Sequence, residues 1–141
     1  MGYHRIRGEY WWGTQTASSY FSETPGSLLL TSEGYYIRSF NGAFFYLLQN
    51  IINTKHQVGF KVDWYEPNTI VSGNEIGKAG TNVNDTDIRY TTYSIGYNFY
   101  MNENVRLMFW YDFVHNEKTQ LAGYTSDLKD NIFTCRLQYR F

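Results

Sequence analysis

The chain has 141 residues, a formal charge of −1 and an aromatic content of 20%, which is well above the usage of ordinary soluble proteins. The balanced charge argues against a nucleic-acid partner, the single cysteine excludes an intramolecular disulfide, and no apolar run is long enough for a membrane-spanning helix. Abundant Tyr, Phe and Trp, with prolines only at Pro25 and Pro67, predict an all-β fold.

The first strand is predicted near the N-terminus, where an apolar row of residues alternates with a charged row. The apolar row contains Ile6, Tyr10 and Trp12, and the charged row contains Arg5, Arg7, Glu9 and Trp11. Gly8 interrupts the apolar row. A long polar connection is predicted to follow, from Thr16 to Gly34.

The second strand, between Tyr35 and Ile51, is ambiguous because both of its rows are largely apolar. We assign one row to the apolar face and the other to the polar face. The apolar row is then Phe40, Phe44, Tyr46 and Leu48, and the opposite row contains Ser39, Asn41 and Gln49. This register turns Arg38 toward the apolar face, so Arg38 is expected at the rim of the sheet or beside a β-bulge.

Four further strands show clearer alternation. The third strand has an apolar row from Val58 and a polar row with Lys61 and Asp63, and the fourth has an apolar row from Tyr93 and a polar row with Ser94 and Asn98. The fifth strand has an apolar row from Val105 and a polar row with Arg106 and Asp112, and the sixth has an apolar row from Phe133 and a polar row with Arg136 and Arg140. The third strand ends before Pro67, because proline removes a donor from the ladder. Cys135 belongs to the apolar row of the last strand and is expected to face lipid.

The predicted connections alternate between long and short. Residues 16–34, 67–86 and 116–127 form long connections, whereas residues 53–55 and 102–104 form short turns. Outer-membrane barrels have this arrangement, with short periplasmic turns, longer extracellular loops, an apolar outer face and a polar lumen. Phe141 is then expected at the periplasmic end. A two-sheet sandwich or a soluble ligand-binding barrel stays open as an alternative.

We therefore predict an antiparallel transmembrane β-barrel wall of about six strands. The smallest usual transmembrane barrels have about eight strands, and an open sheet edge in lipid leaves backbone groups without partners. The chain is accordingly expected to be an incomplete part of a barrel, with its N-terminal strands and signal peptide absent from residues 1–141.

Several segments resemble the later strands of the phosphate-selective porin O and P family of Bacteroidetes. They are KHQV (55–58), DWYEPN (63–68), SGNEIG (72–77), YTT (90–92), GYNFY (96–100), NEKT (116–119), GYT (123–125), DLKDN (127–131) and RLQYRF (136–141). The resemblance runs from about Tyr36 to the end of the chain. It implies a trimeric porin of the bacterial outer membrane with about 16 strands, which passes phosphate or other anions by diffusion.

The same resemblance implies the partners of the chain. These are the lipid bilayer and lipopolysaccharide, small anionic solutes, the barrel-assembly machinery and further copies in a homotrimer. The last strand, with Tyr139 and Phe141, would be the signal that the assembly machinery reads. No cofactor is implied.

The candidate solute contacts are the basic residues predicted to face the lumen. They are Arg5, Arg7, Lys61, Arg106, Arg136 and Arg140, against Glu9, Asp63 and Asp112. Guanidinium groups bind phosphate oxygens in bidentate fashion, so this excess of positive charge predicts an anion channel. Two alternatives stay open. Neighbours such as Arg5 with Glu9 and Lys61 with Asp63 could simply neutralise one another, or the barrel could bind a ligand or serve a structural role without conducting.

No catalytic or metal site is predicted. His4, His56 and His115 lack metal-ligand spacing, and residues 73–78 fall one residue short of a phosphate-binding loop. The acidic segment at 82–87 lacks the Gly and the distal Glu of an EF-hand. Ser94 has no obvious histidine partner, so hydrolase chemistry is not expected.

Overall fold

The predicted all-β fold is confirmed. The computed structural model describes residues 4–18, 35–81 and 83–141. It contains β1 (His4–Ser18), β2 (Tyr35–Ile51), β3 (His56–Glu66), β4 (Tyr90–Tyr100), β5 (Val105–Asn116), β6 (Ile132–Tyr139) and one 3₁₀ turn, η1 (Asp85–Asp87). Most of the predicted connection at 16–34 lies outside the described residues.

All six strands form one antiparallel sheet in the order β1-β2-β3-β4-β5-β6. Each strand pairs with its neighbour in sequence, which is the up-and-down arrangement of a barrel wall. The sheet is not closed in the described residues, and β1 and β6 form its two edges.

The two faces of the sheet follow from the pairing register, because directly paired residues point to the same side. We name the side that carries Arg5, Lys61 and Arg106 the polar face, and the side that carries Phe60 and Phe109 the apolar face. All Lys and Arg residues within the six strands lie on the polar face.

Exposure distinguishes this sheet from one layer of a soluble protein. On the apolar face Trp12 is 72% exposed and Leu137 is 67% exposed, whereas Ser94 and Asn98 on the polar face are only 5% and 3% exposed. A soluble protein covers its large apolar side chains and does not present a continuous exposed face of them. The distribution here is the one expected of a barrel wall that faces lipid on its outside.

The predicted register of β2 is wrong. Tyr46 pairs with Arg7 on one side and Lys61 on the other, so the row that contains Tyr46 lies on the polar face. Ser39, Asn41 and Gln49 consequently lie on the apolar face. The apolar pattern could not select the register because both rows of β2 are apolar, and a shift by one residue exchanges the two faces completely.

The corrected register also places Arg38 on the polar face. Arg38 pairs with Gln15 inside an unbroken ladder that runs from the pair of His4 with Gln49 to the pair of Ser18 with Tyr35. The described ladder between β1 and β2 therefore contains no β-bulge, and the predicted position of Arg38 on the apolar side is corrected.

The described long connections lie at one end of the sheet and the short turns lie at the other. The backbone N–H of Arg140 donates to the carbonyl oxygen of Asn104 at 2.8 Å, so the C-terminus lies beside a short turn, as predicted. The long connections extend further than predicted, because β4 begins at Tyr90 and β6 begins at Ile132.

The two described long connections pack against each other. Ile76 and Ile88 are 0% and 2% exposed and form the buried centre of the connection at 67–89. The N–H of Gln120 donates to the carbonyl oxygen of Ile76 at 3.0 Å. Gly77 has a φ of 79°, and a Cβ there would lie 2.6 Å from the backbone nitrogen of Leu121. Glycine is therefore required both by the backbone conformation and by the close approach of Leu121.

Helices play almost no part in this fold. Over residues 4–18, 35–81 and 83–141, no helix has the length and hydropathy needed to cross a bilayer.

Candidate functional site

The structure brings the predicted basic residues together along the polar face. Five of the six lie in strands, and Arg140 follows directly after β6. They are Arg5 and Arg7 on β1, Lys61 on β3, Arg106 on β5 and Arg136 on β6. Each of these strands has one charged row, which predicted their common side, although Gly8 and Trp11 weaken the alternation in β1.

A cavity of about 390 Å³ opens on the polar face toward the short-turn end. Arg5 and Arg106 line it together with Tyr46, Gln57, Asn98 and Tyr100. The Gln57 side-chain oxygen accepts from Asn98 Nδ2 at 3.1 Å and from the Tyr100 hydroxyl at 3.3 Å. Gln57 Nε2 in turn donates to Asn50 Oδ1 on β2 at 2.9 Å, so these hydrogen bonds hold the polar groups of the cavity wall in place on three neighbouring strands.

Arg106 also borders a smaller cavity of about 190 Å³ beside the short turn at 101–104. Arg140 and Gln138 line the same cavity, and Glu103 contributes the one carboxylate among its lining residues. Arg106 Nη2 donates to the Gln138 side-chain oxygen at 2.6 Å, and its guanidinium lies 5.8 Å from the centre of the Tyr100 ring. Arg106 is therefore oriented by contacts on both sides of its strand.

The two expected neutralising pairs have different outcomes. Lys61 Nζ lies 2.5 Å from Asp63 Oδ1, with both side chains about one-third exposed, so this pair is present. Arg5 and Glu9 are four residues apart on one extended strand, a separation of about 13 Å, and they form no ion pair in the part of the chain that the structure describes. The basic excess on the polar face is therefore only partly neutralised.

Arg38 forms a buried ion pair that the sequence reasoning missed. Arg38 Nε donates to Asp87 Oδ1 at 2.7 Å, and the two side chains are 2% and 0% exposed. Asp87 also accepts from Asn68 Nδ2 at 2.9 Å and from the backbone N–H of Asn84 at 3.1 Å. The ion pair therefore anchors the connection at 67–89 to the polar face of β2.

This anchor also bears on the acidic segment at 82–87, of which Asn82 lies outside the described residues. Both carboxylate oxygens of Asp87 already accept hydrogen bonds from protein donors. Asn84 caps η1, and the spacing of Asn84 and Asp87 is that of a capping box, which is a signal readable from sequence. Among described residues, no group of three or more His, Cys, Asp or Glu side chains could hold a metal ion.

A second feature missed from sequence is an aromatic stack on the polar face. The rings of Tyr46 and Trp110 are 5.6 Å apart between centroids and inclined by 19°. The Trp110 indole lies across two glycines on neighbouring strands: a Cβ added at Gly96 would lie 2.2 Å from it, and one at Gly59 would lie 2.7 Å from it. Paired glycines in the polar rows of adjacent strands were the signal that could have indicated this contact.

The histidines are dispersed. His56 Nδ1 lies 2.6 Å from the Tyr97 hydroxyl, and His115 Nδ1 lies 2.6 Å from Asp127 Oδ2 at the other end of the sheet. Among the described residues, Ser94 has no histidine partner and its hydroxyl makes no hydrogen bond. Cys135 pairs with Phe109 on the apolar face and is exposed there.

Two carboxyl groups in the long connections have lowered pKa values. The hydrogen bond with the His115 side chain lowers the pKa of Asp127, and the backbone N–H of Asn116 adds to the effect. The backbone N–H and the hydroxyl of Ser72 lower the pKa of Glu75. Both are surface effects that stabilise local loop geometry.

The open antiparallel sheet, its exposed apolar face and its basic polar face define a section of transmembrane β-barrel wall. The sequence model of the family described as phosphate-selective porin O and P matches residues 69–141. The chain belongs to this family of outer-membrane porins. No curated protein and no solved structure matches the chain.

The matched region covers β4, β5, β6 and most of the connection before β4. The predicted resemblance is confirmed for this part. The similar segments at 55–58 and 63–68 lie outside the matched residues, and their resemblance stays a prediction.

Proposed function

We propose that this chain forms part of the wall of an outer-membrane channel through which small anions, phosphate among them, diffuse passively. The observation that carries the proposal is that every Lys and Arg of the six strands lies on the polar face. A charge on the outer face would have to be buried in lipid, whereas a charge on the lumen face stays in water and acts on passing ions.

The balance of charge supports anions over cations. Seven basic residues, counting Arg38 and Arg140, lie on this face, against Glu9, Asp63 and Asp112 in the strands. Arg38 is paired with Asp87 of the connection, which leaves six basic residues against three acidic ones. Guanidinium groups remain charged at all physiological pH values and present several donors to phosphate oxygens. The cavity between Arg5 and Arg106 offers two such groups within one polar recess.

Closure of the channel requires strands beyond the six described. The N–H and C=O groups at the free edges of β1 and β6 need partners if they lie in lipid. In the proposed assembly these six strands complete a larger barrel with about 16 strands, in a trimer, as the family resemblance implies. Migration of the purified chain as a folded monomer in buffer without detergent would contradict this membrane assignment.

Reversal potentials in planar bilayers test the anion preference. In a salt gradient the reversal potential of the assembled channel should have the sign expected of an anion-selective channel. Arg106→Gln should move this potential toward zero, because the substitution removes one positive charge from the polar face. Arg89→Gln is the matched control, since Arg89 lies in the connection before β4 and outside the polar face. A cation-selective channel would eliminate the proposal.

A further inference from the structure

The polar face carries a strip of aromatic side chains that a water-filled lumen does not require. The strip runs across β1, β2 and β5 and consists of Trp11, Phe40, Phe44, Tyr46 and Trp110. None of these side chains is fully buried. The lumen faces of outer-membrane barrels are usually polar, and the alternation of strands does not explain why these aromatic side chains lie on this face.

The centre of the strip is flat. Trp110 lies across Gly96 and Gly59, which have no side chains to lift the indole from the sheet. Tyr46 on β2 stacks against the indole, with ring centres 5.6 Å apart and ring planes inclined by 19°. One indole face covers the glycines, and the wall beneath the two rings spans β2 to β5.

Cations border this flat surface. Tyr46 lines the cavity of about 390 Å³ together with Arg5 and Arg106, so its ring shares this recess with two guanidinium groups. The basic residues paired with Tyr46 on the neighbouring strands are engaged elsewhere, since the guanidinium of Arg7 lies 5.5 Å from the centre of the Phe44 ring and Lys61 is paired with Asp63.

We propose that Tyr46 and Trp110 form a stacking site for solutes that join a flat ring to an anionic group, such as aryl phosphates. The ring of the solute lies against the two aromatic side chains, and Arg5 and Arg106 bind its anionic group. This inference rests on the proposed channel function and narrows its solute class. Inorganic phosphate has no ring and gains nothing from the aromatic surface, whereas ring stacking on an aromatic side chain adds affinity.

Block of the channel current by phenyl phosphate tests the site. In the assembled channel, phenyl phosphate should halve the ionic current at a concentration about tenfold below that of inorganic phosphate, by the usual strength of stacking on aromatic side chains. Trp110→Leu should remove this advantage and leave the effect of inorganic phosphate unchanged, whereas Trp110→Phe should keep most of it. Trp12→Leu is the matched control because Trp12 is exposed on the apolar face.

A second variant displaces the indole without removing it. The methyl group of Gly96→Ala would overlap the Trp110 ring, so this variant should also lose the phenyl phosphate advantage. Each variant is first shown to keep its anion selectivity, which separates loss of the stacking site from loss of the channel fold.

The possible failures are distinguishable. Equal block by phenyl phosphate and inorganic phosphate in the unaltered channel would overturn the stacking site and leave the anion channel standing. The stacking site would also be overturned if Trp110→Leu kept the stronger block by phenyl phosphate, or if Trp12→Leu removed it to the same extent. A channel that prefers cations would overturn the proposed function itself.

Discussion

Substitution of Asp87 by alanine should release the connection at 67–89 from the sheet. In the native structure Asp87 accepts from Arg38, Asn68 and Asn84, and its side chain is fully covered. Asp87→Ala removes all three acceptor contacts and leaves the guanidinium of Arg38, which is 2% exposed, facing a site without a carboxylate. The strands keep their ladders, so the effect should be confined to the connection.

The magnitude follows from the burial of the pair. Removal of one partner from a buried ion pair costs about 3–5 kcal/mol, because the other charge remains desolvated. The connection can open and return Arg38 to water, so we take the lower end, about 3 kcal/mol. Since about 1.4 kcal/mol corresponds to a factor of ten, the open population of the connection should rise by more than about a hundredfold.

Limited proteolysis of the protein in detergent measures this population, because cleavage tracks the open state when opening and closing are fast. Cleavage within residues 67–89 should accelerate about a hundredfold in Asp87→Ala, while fragments from the strands stay rare. Asp85→Ala is the control, since Asp85 lies in the same 3₁₀ turn with an exposed side chain. Equal cleavage rates in Asp87→Ala and the unaltered protein would refute the anchoring role of the ion pair.

Two further predictions concern the ends of the sheet. The pKa of Asp127 is lowered, first by its hydrogen bond with His115. The contribution of Asp127 to loop stability is therefore complete above the ordinary pKa of 3.8 and is lost only as the pH falls through the lower pKa of the folded state. An NMR titration of the Asp127 carboxyl carbon in micelles with a midpoint at or above 3.8 would contradict this prediction. Deletion of Phe141 should impair insertion by the assembly machinery more than single-channel conductance, because the Phe141 side chain is fully exposed and lies outside β6. Insertion is measured as the folded fraction in isolated membranes, with Phe133→Leu as the control. Normal insertion without Phe141 would contradict its role in assembly.

The strands with two unlike rows could be predicted from sequence, and β2 could not. In β5, for example, Leu107 and Phe109 alternate with Arg106 and Asp112, and the structure keeps this division. β2 has apolar residues in both rows, so its own pattern left two registers nearly equivalent. Pairing with the charged rows of β1 and β3 selected the register, and this information lies in other strands.

Some features of the candidate site could also be predicted from sequence, and others could not. The six candidate basic residues were predictable because each belongs to a segment with a charged row, whereas Arg38 lies in β2, which has none. The contact of Arg38 with Asp87 joins residues 49 positions apart, and the Trp110 indole on β5 reaches across β4 to Gly59 on β3. Local periodicity carries no information about such distant pairs.

By itself the sequence determined the all-β class, the number of strands, the long and short connections and the charge of the polar face, because these follow from local alternation and turn composition. Only the tertiary structure decided which face of β2 meets the charges, how the long connection is anchored and where the aromatic strip lies. Those features depend on the cross-strand register, in which a shift of one residue reverses every side chain of a strand.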